Sequence, residues 1–255
     1  MKRMNLVPAY RYRFGGAMKG AAVFFGIMIL MTALVFCSLL YATWKGAEGT
    51  INFAAFGFAA MITMFVTGIC TIREDLRLML QNGVGRRTVF TAELLVILSV
   101  SLLLGLAGEL LVAVSQIATS HWQNFYIWDI FQLLFFNEMG KDLTFAAHIQ
   151  SMLCSFGLYT CANLTGIFVS LLFYRLNKVW TIIVAVGTPI FFFIGLPLLM
   201  AWHVIPRCFV DAVGSLVSFS LHSSWNMLLV FVVTAALTAI MNWLLLHRAP
   251  VKPIK

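Results

Sequence analysis

The stretch GAAVFFGIMILMTALVFCSLLYATW, residues Gly20 to Trp44, contains no charged residue and lies between Lys19 and Lys45. A helix rises about 1.5 Å per residue, and about 20 apolar residues suffice to cross the hydrocarbon core of a bilayer. These 25 residues are also too many for the apolar region of a secretory signal, which has about 7 to 15. The stretch therefore predicts an uncleaved membrane-spanning helix.

The composition of the whole chain extends this interpretation. Of its 255 residues, 62% are hydrophobic and 10% are charged, against roughly 45–50% and about 25% in soluble domains. This excludes an ordinary water-soluble fold and predicts an all-α integral membrane protein with one transmembrane domain over residues 1–255. The net charge of +8 is spread along apolar sequence, so it indicates orientation in the membrane and not binding to nucleic acid.

Charged residues separate six predicted spans, which places both termini on the same side of the membrane. Ahead of the first span, residues 1–19 form a basic, amphipathic segment. Within it, Tyr10 to Phe14 alternates aromatic and basic side chains, as expected at anionic headgroups. The third span is the least regular because it contains Glu93 and Glu109. The predicted spans are residues 20–44, 49–72, 88–118, 146–174, 179–203 and 223–247.

The distribution of basic residues predicts the orientation. With the amino terminus in the cytoplasm, fourteen of the 17 lysines and arginines fall inside, and Lys45, Lys141 and Arg207 fall outside. Basic residues in short loops resist translocation. The asymmetry therefore predicts that both termini are cytoplasmic.

The connection between the second and third spans carries the most specific pattern. Ile72, Leu76 and Met79 fall on one helical face and charged residues occupy the others, which predicts a short amphipathic helix. Gly83 suits the left-handed position of a Schellman ending, with Val84 folding back on Met79. Two interpretations stay open on these residues alone. The helix rests passively on the inner leaflet, or it is a rigid knob that docks into a cytoplasmic partner.

The order of these features resembles that of membrane subunits of type-2 ABC exporters. The resemblance rests on the basic amino-terminal segment, the six spans and the pattern R-E-D-L-R-x-x-L-Q-N-G at Arg73 to Gly83, followed by Arg86-Arg87. In that family two permease subunits pair across the membrane. Each contacts a separate ATPase through the cytoplasmic helix between its second and third spans. The resemblance implies a coupling element made of Arg73, Glu74, Asp75, Leu76, Arg77, Leu80 and Gln81.

The resemblance also implies partners, cargo and location. The expected partners are two copies of a cytoplasmic ABC ATPase, which would bind ATP and Mg, and a second permease subunit that is an identical or related chain. The expected activity is export of an amphipathic substrate, such as a peptide, a lipid, a drug or an antimicrobial compound. The expected location is the bacterial cytoplasmic (inner) membrane.

The sequence contains no catalytic motif of its own. It lacks the G-x-x-x-x-G-K-[ST] loop, the H-E-x-x-H pair and the G-x-S-x-G elbow, so we predict no enzyme, no metal site and no cofactor bound by this chain. Its five cysteines include no C-x-x-C pair and are interpreted as packing residues. Two alternatives remain open: a non-transporting membrane sensor or immunity subunit, and an intramembrane lipid-modifying enzyme that acts through Glu109 and a histidine.

Glu109 and two prolines mark the predicted substrate path. An acid inside a membrane is by default a functional candidate, and the alternative is a carboxylate that is hydrogen-bonded near the outer headgroups. Pro189 and Pro197 predict kinks in the fifth span, about which that helix could bend between two states. Glu93 lies closer to the cytoplasmic side, and we expect it to pair with one arginine of Arg86-Arg87.

Two outer segments are predicted to lie at the membrane surface. Between His121 and Phe145 aromatic residues alternate with polar ones, and Phe131, Leu134 and Phe135 have helical spacing. Such a segment belongs in the headgroup layer, either as an aromatic belt that anchors the helices or as a surface that gathers substrate. Residues 204–222 form a second candidate, one that dips partway into the bilayer.

Overall fold

The computed structural model describes residues 6–45, 51–53, 55–121, 125–127, 129–135, 144–176, 178–191, 194, 198–199 and 207–247. The described part of the chain is almost entirely helical. Two short strands, β1 (Ile51–Phe53) and β2 (Phe125–Ile127), pair in parallel with Asn52 opposite Tyr126. The helices are α1 (Leu6–Trp44), α2 (Ala55–Gln81), α3 (Arg86–His121), α4 (Ile130–Phe135), α5 (Phe145–Arg175), α6 (Lys178–Ile190), α7 (Arg207–His222) and α8 (Ser224–His247).

Among the described residues, four helices are long and apolar enough to cross a membrane, which indicates a multi-pass membrane protein. They correspond to the first, third, fourth and sixth predicted spans. The second and fifth fall on shorter segments: an apolar run of α2, Phe56–Cys70, and α6, which has 13 residues. The four candidate spans are Leu6–Ser38, Arg86–Gln116, Phe145–Arg175 and Ser224–His247.

The described residues of the predicted basic amino-terminal segment, 6–19, continue directly into the first predicted span. From Leu6 onward the chain is one uninterrupted helix to Trp44, and residues 1–5 lie outside the described part. Arg13 is buried, with 7% of its surface exposed. The reason is an acidic partner on α3, which accommodates the arginine inside the bundle.

The predicted coupling helix is also not a separate element. It is the last part of α2, which runs from Ala55 to Gln81 without a break. Between Gly68 and Gln81 the sequence has neither glycine nor proline, so nothing in it ends the helix. At its other end α2 begins at Ala55 and not at residue 49, because residues 51–53 are extended in β1.

The predicted Schellman ending of this helix is confirmed. Gly83 has a φ of 74°, a left-handed conformation that favours glycine. The Val84 N–H donates to the Met79 carbonyl at 3.0 Å, and the Gly83 N–H donates to the Leu80 carbonyl at 3.1 Å. These two bonds define the motif, so α2 has a fixed and sharply defined terminus.

Helix α5 is the centre of the bundle and packs on α2, α3 and α8. Its approach to α2 is close: at both Gly68 and Gly166 a Cβ atom would overlap backbone atoms of the facing helix. Small residues such as Gly166 allow helices to approach this closely. Side chains then link the helices, since Asn163 Nδ2 donates to the Met64 carbonyl at 3.0 Å and Asn242 Nδ2 donates to the Leu164 carbonyl at 2.9 Å.

The start of the fifth predicted span is helix α6, and residues 198–199 farther along that span are also α-helical. Helix α6 ends at Ile190, directly after Pro189, and residues 191 and 194 are π-helical. A proline that removes one backbone donor accounts for a change of hydrogen-bonding register at this point. Pro197 lies outside the described residues, as does the side chain of Pro189.

Candidate functional site

The two ends of the bundle differ in chemistry. The basic end is where α1 and α3 begin and where α2, α5 and α8 end. There the Arg86 guanidinium donates to the His247 carbonyl, and Arg175 Nη2 donates to the Leu245 carbonyl at 2.9 Å. Cations at the last carbonyls of a helix stabilise its negative dipole end. Arginines of α3 and α5 thus fix the carboxyl end of α8.

The end of α2 is exposed on one face and firmly held on the other. Leu78 is 43% exposed, and Gln81 and Gly83 are exposed as well. Met79, in contrast, is only 3% exposed because it belongs to a core cluster shared by five helices. The other buried members are Ala9 of α1; Val89, Ala92 and Ile97 of α3; Leu164, Ile167 and Leu171 of α5; and Leu246 of α8.

The predicted coupling residues fall into three groups. Gln81 is exposed, as a contact residue must be, whereas Leu80 is partly buried against the core cluster and faces inward. The remaining five are helical in their backbone, and their side chains lie outside the described part of the chain. These are Arg73, Glu74, Asp75, Leu76 and Arg77.

Glu93 pairs with Arg13, so the expected pairing with Arg86 or Arg87 was wrong. Arg13 Nε donates to Glu93 Oε2 at 2.6 Å, and Nη2 donates to the same oxygen. Both side chains are 7% exposed. The packing of α1 on α3 places these two residues opposite each other. Arg86 is directed instead to the end of α8.

A cavity of about 120 Å³ lies beside this ion pair, between α1, α2, α3 and α5. Its walls are mainly apolar, and small residues of α1 leave the space open. Asn163 of α5 supplies an amide to the wall, and its Oδ1 is buried with no hydrogen-bond partner among the described residues. The lining residues on α1 are Arg13, Gly16, Ala17, Gly20, Ala21 and Phe24.

The far end, opposite the basic end, contains the other acid of α3. Glu109 is 9% exposed, and its Oε1 is hydrogen-bonded to His148 Nδ1 of α5. Its second oxygen, Oε2, has no partner among the described residues, and neither has the hydroxyl of the fully buried Ser151. Glu109 is therefore neither lipid-exposed nor at a free surface. The sequence-based prediction named it as a functional candidate but not this particular histidine as its partner.

Asp129 is a second buried acid at the far end, and sequence reasoning missed it. It is 3% exposed and caps α4: its Oδ1 accepts from the Ile130 N–H at 2.9 Å, and its own N–H donates to Gln132 Oε1 at 2.9 Å. The Ser155 hydroxyl of α5 donates to Asp129 Oδ2 at 2.6 Å. Burial raises the pKa of this carboxyl above its ordinary value, while the hydrogen bonds from Ser155 and Ile130 offset part of the rise.

The segment that follows Asp129 packs against the bundle, and its predicted place in the headgroup layer stays a prediction. Helical spacing is confirmed, because Ile130–Phe135 forms α4. Phe131, however, is 2% exposed and packs with Cys154 of α5 and Met227 of α8. The space for this insertion exists because Gly57 of α2 has no side chain where Asp129 lies.

A polar stripe along α5 connects these sites. Its members are four residues apart, which places them on one helical face: Ser151, Ser155, Tyr159 and Asn163. All four are buried. The spacing was visible in the sequence, and in an otherwise apolar helix it would have identified α5 as the central helix and this face as its buried one.

The other candidate residues do not form a site in the described part of the chain. No cluster of three or more histidine, cysteine, aspartate or glutamate side chains there could hold a metal ion. Cys154 and Cys161 are buried, as expected of packing residues, whereas Cys37 and Cys70 are exposed.

No protein-family model matches this chain, and neither a curated protein nor a solved structure is significantly similar to it. The exporter resemblance therefore depends on the residues of the chain itself.

Proposed function

We propose that this chain is the transmembrane subunit of an ATP-driven exporter of the type-2 ABC class, with six spans and both termini in the cytoplasm. In this proposal a separate ATPase contacts the end of α2 at the basic end of the bundle. A second permease subunit pairs with the chain, and an amphipathic substrate leaves between the two subunits.

The observation that carries the proposal is the way α2 ends. Its terminus is fixed by the Schellman bonds of Gly83 and Val84 and is exposed at Leu78 and Gln81. Directly beside the exposed residues, Met79 is buried among residues of four other helices. Close-packed interiors transmit displacement because they have few voids to absorb it. A force on the exposed face of this terminus therefore reaches α1, α3, α5 and α8.

The distribution of charge supports a cytoplasmic position for the end of α2. Arg86 and Arg175 lie at the basic end and neutralise the carboxyl end of α8. Since basic residues are retained on the cytoplasmic side, the proposal puts this end in the cytoplasm. That is the side on which an ATPase finds its nucleotide.

The direct packing of α2 on α5 suggests the mechanism. When ATP draws two ATPase subunits together, each presses on its α2 terminus. Because Gly68 and Gly166 hold α2 and α5 in backbone contact, the two helices move as one body. The motion then changes the spacing between the two permease subunits, and the substrate is released.

Copurification tests this proposal. The full chain, tagged and purified from its native membranes, should retain an ATPase whose turnover responds to substrate. Leu78→Asp should release that ATPase or uncouple its turnover, because it places a charge on the proposed contact. Leu221→Asp is the matched control, since Leu221 is 46% exposed at the end of α7. Retention of no ATPase by the unaltered chain would favour the non-transporting alternative, and equal coupling in both variants would contradict the role of α2.

A second candidate function has one observation in its favour. Glu109 and His148 are paired, and a carboxylate that orients a histidine is a common general-base arrangement. This is the pair that an intramembrane lipid-modifying enzyme would use. Glu109→Gln would abolish such an activity but leave ATPase coupling intact, so the same membranes distinguish the two candidates.

A further inference from the structure

The cavity beside Arg13 and Glu93 has the size of a small organic group. Its volume of about 120 Å³ is comparable with cavities of about 150 Å³ that bind benzene. Gly16 forms part of its wall and is exposed, so the cavity opens to the outside of the bundle beside α1. The wall there is backbone, and the space in front of it is open.

The polar groups of the wall are satisfied with one exception. The Thr63 hydroxyl donates to the Ala59 carbonyl at 2.7 Å, and the Thr67 hydroxyl donates to the Met64 carbonyl at 2.9 Å. Arg13 and Glu93 neutralise each other. What remains is Asn163 Oδ1, an acceptor on a side chain that is only 6% exposed.

The orientation of the Asn163 amide is fixed by its own donors. Asn163 Nδ2 donates to the Met64 carbonyl at 3.0 Å and to Thr67 Oγ1 at 3.2 Å. Rotating the amide by half a turn would set its oxygen against the carbonyl oxygen of Met64, which is repulsive. The missing group is therefore a hydrogen-bond donor. A buried acceptor without a donor destabilises the folded state.

We propose that this cavity binds a small, neutral hydrocarbon that carries one hydroxyl group, which donates to Asn163 Oδ1. The apolar walls take the hydrocarbon body, and the closed ion pair leaves no net charge for an ionic ligand to match. A lipid acyl chain fits the walls but supplies no donor. Water supplies the donor but leaves the apolar volume unfilled. The site does not depend on coupling to an ATPase, so it is tested on this chain alone.

The test uses para-fluorophenol as the probe and para-fluorotoluene as its isostere without a donor. Fluorine NMR follows the binding of each compound to the full chain in detergent, with empty micelles as the blank. Para-fluorophenol should bind the unaltered chain. Gly16→Leu should abolish that binding because the leucine fills the cavity. Gly15→Leu is the matched control: it is the adjacent residue, it also has no described atom within 4 Å of its Cβ position, and it does not line the cavity.

A second variant tests the hydrogen bond. Asn163→Leu should weaken binding of para-fluorophenol about tenfold, as expected when a buried acceptor is removed, and leave para-fluorotoluene unchanged or tighter. If Asn163→Leu does not fold, the two glycine variants still show whether para-fluorophenol binds in the cavity, because they leave the hydrogen bonds of Asn163 in place. Binding of para-fluorophenol that is equal in Gly16→Leu and Gly15→Leu would overturn the proposal, and so would the absence of binding to the unaltered chain.

Discussion

The two acids of α3 are buried alike but partnered differently. Glu93, at the basic end, faces Arg13, whereas Glu109, at the far end, faces His148. They are sixteen residues apart, about 24 Å along a straight helix at 1.5 Å per residue. A guanidinium is a planar fork with five N–H donors, whereas an imidazole ring offers two nitrogens on opposite sides. The basic end is thus held by an arginine that donates twice to one carboxylate oxygen, and the far end by a single contact to an imidazole nitrogen.

The largest expected effect comes from removing each acid in turn. Glu93→Gln leaves the Arg13 charge buried without its acidic partner, and loss of one member of a buried pair costs about 3–5 kcal/mol. Glu109→Gln should cost about 1–2 kcal/mol, because the amide that replaces the carboxylate can still form a hydrogen bond with the His148 ring. Thermal unfolding of the purified chain in detergent measures both.

The matched control for this comparison removes both charges at once. Glu93→Leu combined with Arg13→Leu should recover most of the stability lost in Glu93→Gln, since neither charge is then left unpaired. Equal losses of stability in Glu93→Gln and Glu109→Gln would contradict the expected difference between the two acids.

A smaller effect is expected at Asp129, the other acid of the far end. Because burial raises the pKa of Asp129 in the folded protein above its value in the unfolded chain, the folded state holds the proton more tightly. The stability it contributes is present below the ordinary aspartate pKa and is lost as the pH rises through the raised value. Asp129→Asn should therefore unfold a few degrees higher than the unaltered chain at neutral pH.

Asparagine fits the position of Asp129, because its amide can still accept from the Ile130 N–H and form a hydrogen bond with Ser155. It should also flatten the dependence of the unfolding midpoint on pH. Asp211→Asn, at an exposed position of α7, serves as the control for the loss of one carboxylate. A variant at Asp129 that is less stable at neutral pH, or that keeps the full pH dependence, would contradict this assignment.

The sequence predicts helices well where one strong local signal acts. The run from Gly20 to Trp44 is too long and too apolar for anything but a spanning helix, and the Gly83 ending follows from a left-handed position that only a few residues tolerate. The sequence does not predict which residues pair between helices. Nothing near Arg13 in the sequence shows that it is buried, because its partner Glu93 lies eighty residues away on another helix.

The candidate sites were harder to predict than the helices. Asp129 lies in a loop whose aromatic composition points to a membrane surface, and its burial depends on the space left by Gly57 of α2. The acceptor of Asn163 is recognisable only once the cavity in front of it is known. The four-residue spacing along α5 is the one sequence signal that would have led to both.

The proposed function requires the end of α2 to face the cytoplasm, where an ATPase can reach it. Labelling with a membrane-impermeant thiol reagent measures this orientation, in a chain whose five native cysteines are replaced by alanine. In sealed right-side-out vesicles His222→Cys, at the end of α7, should be labelled at once. Gln81→Cys should react only after the membrane is permeabilised. Labelling of Gln81→Cys in sealed vesicles would place the end of α2 outside and contradict the proposed function.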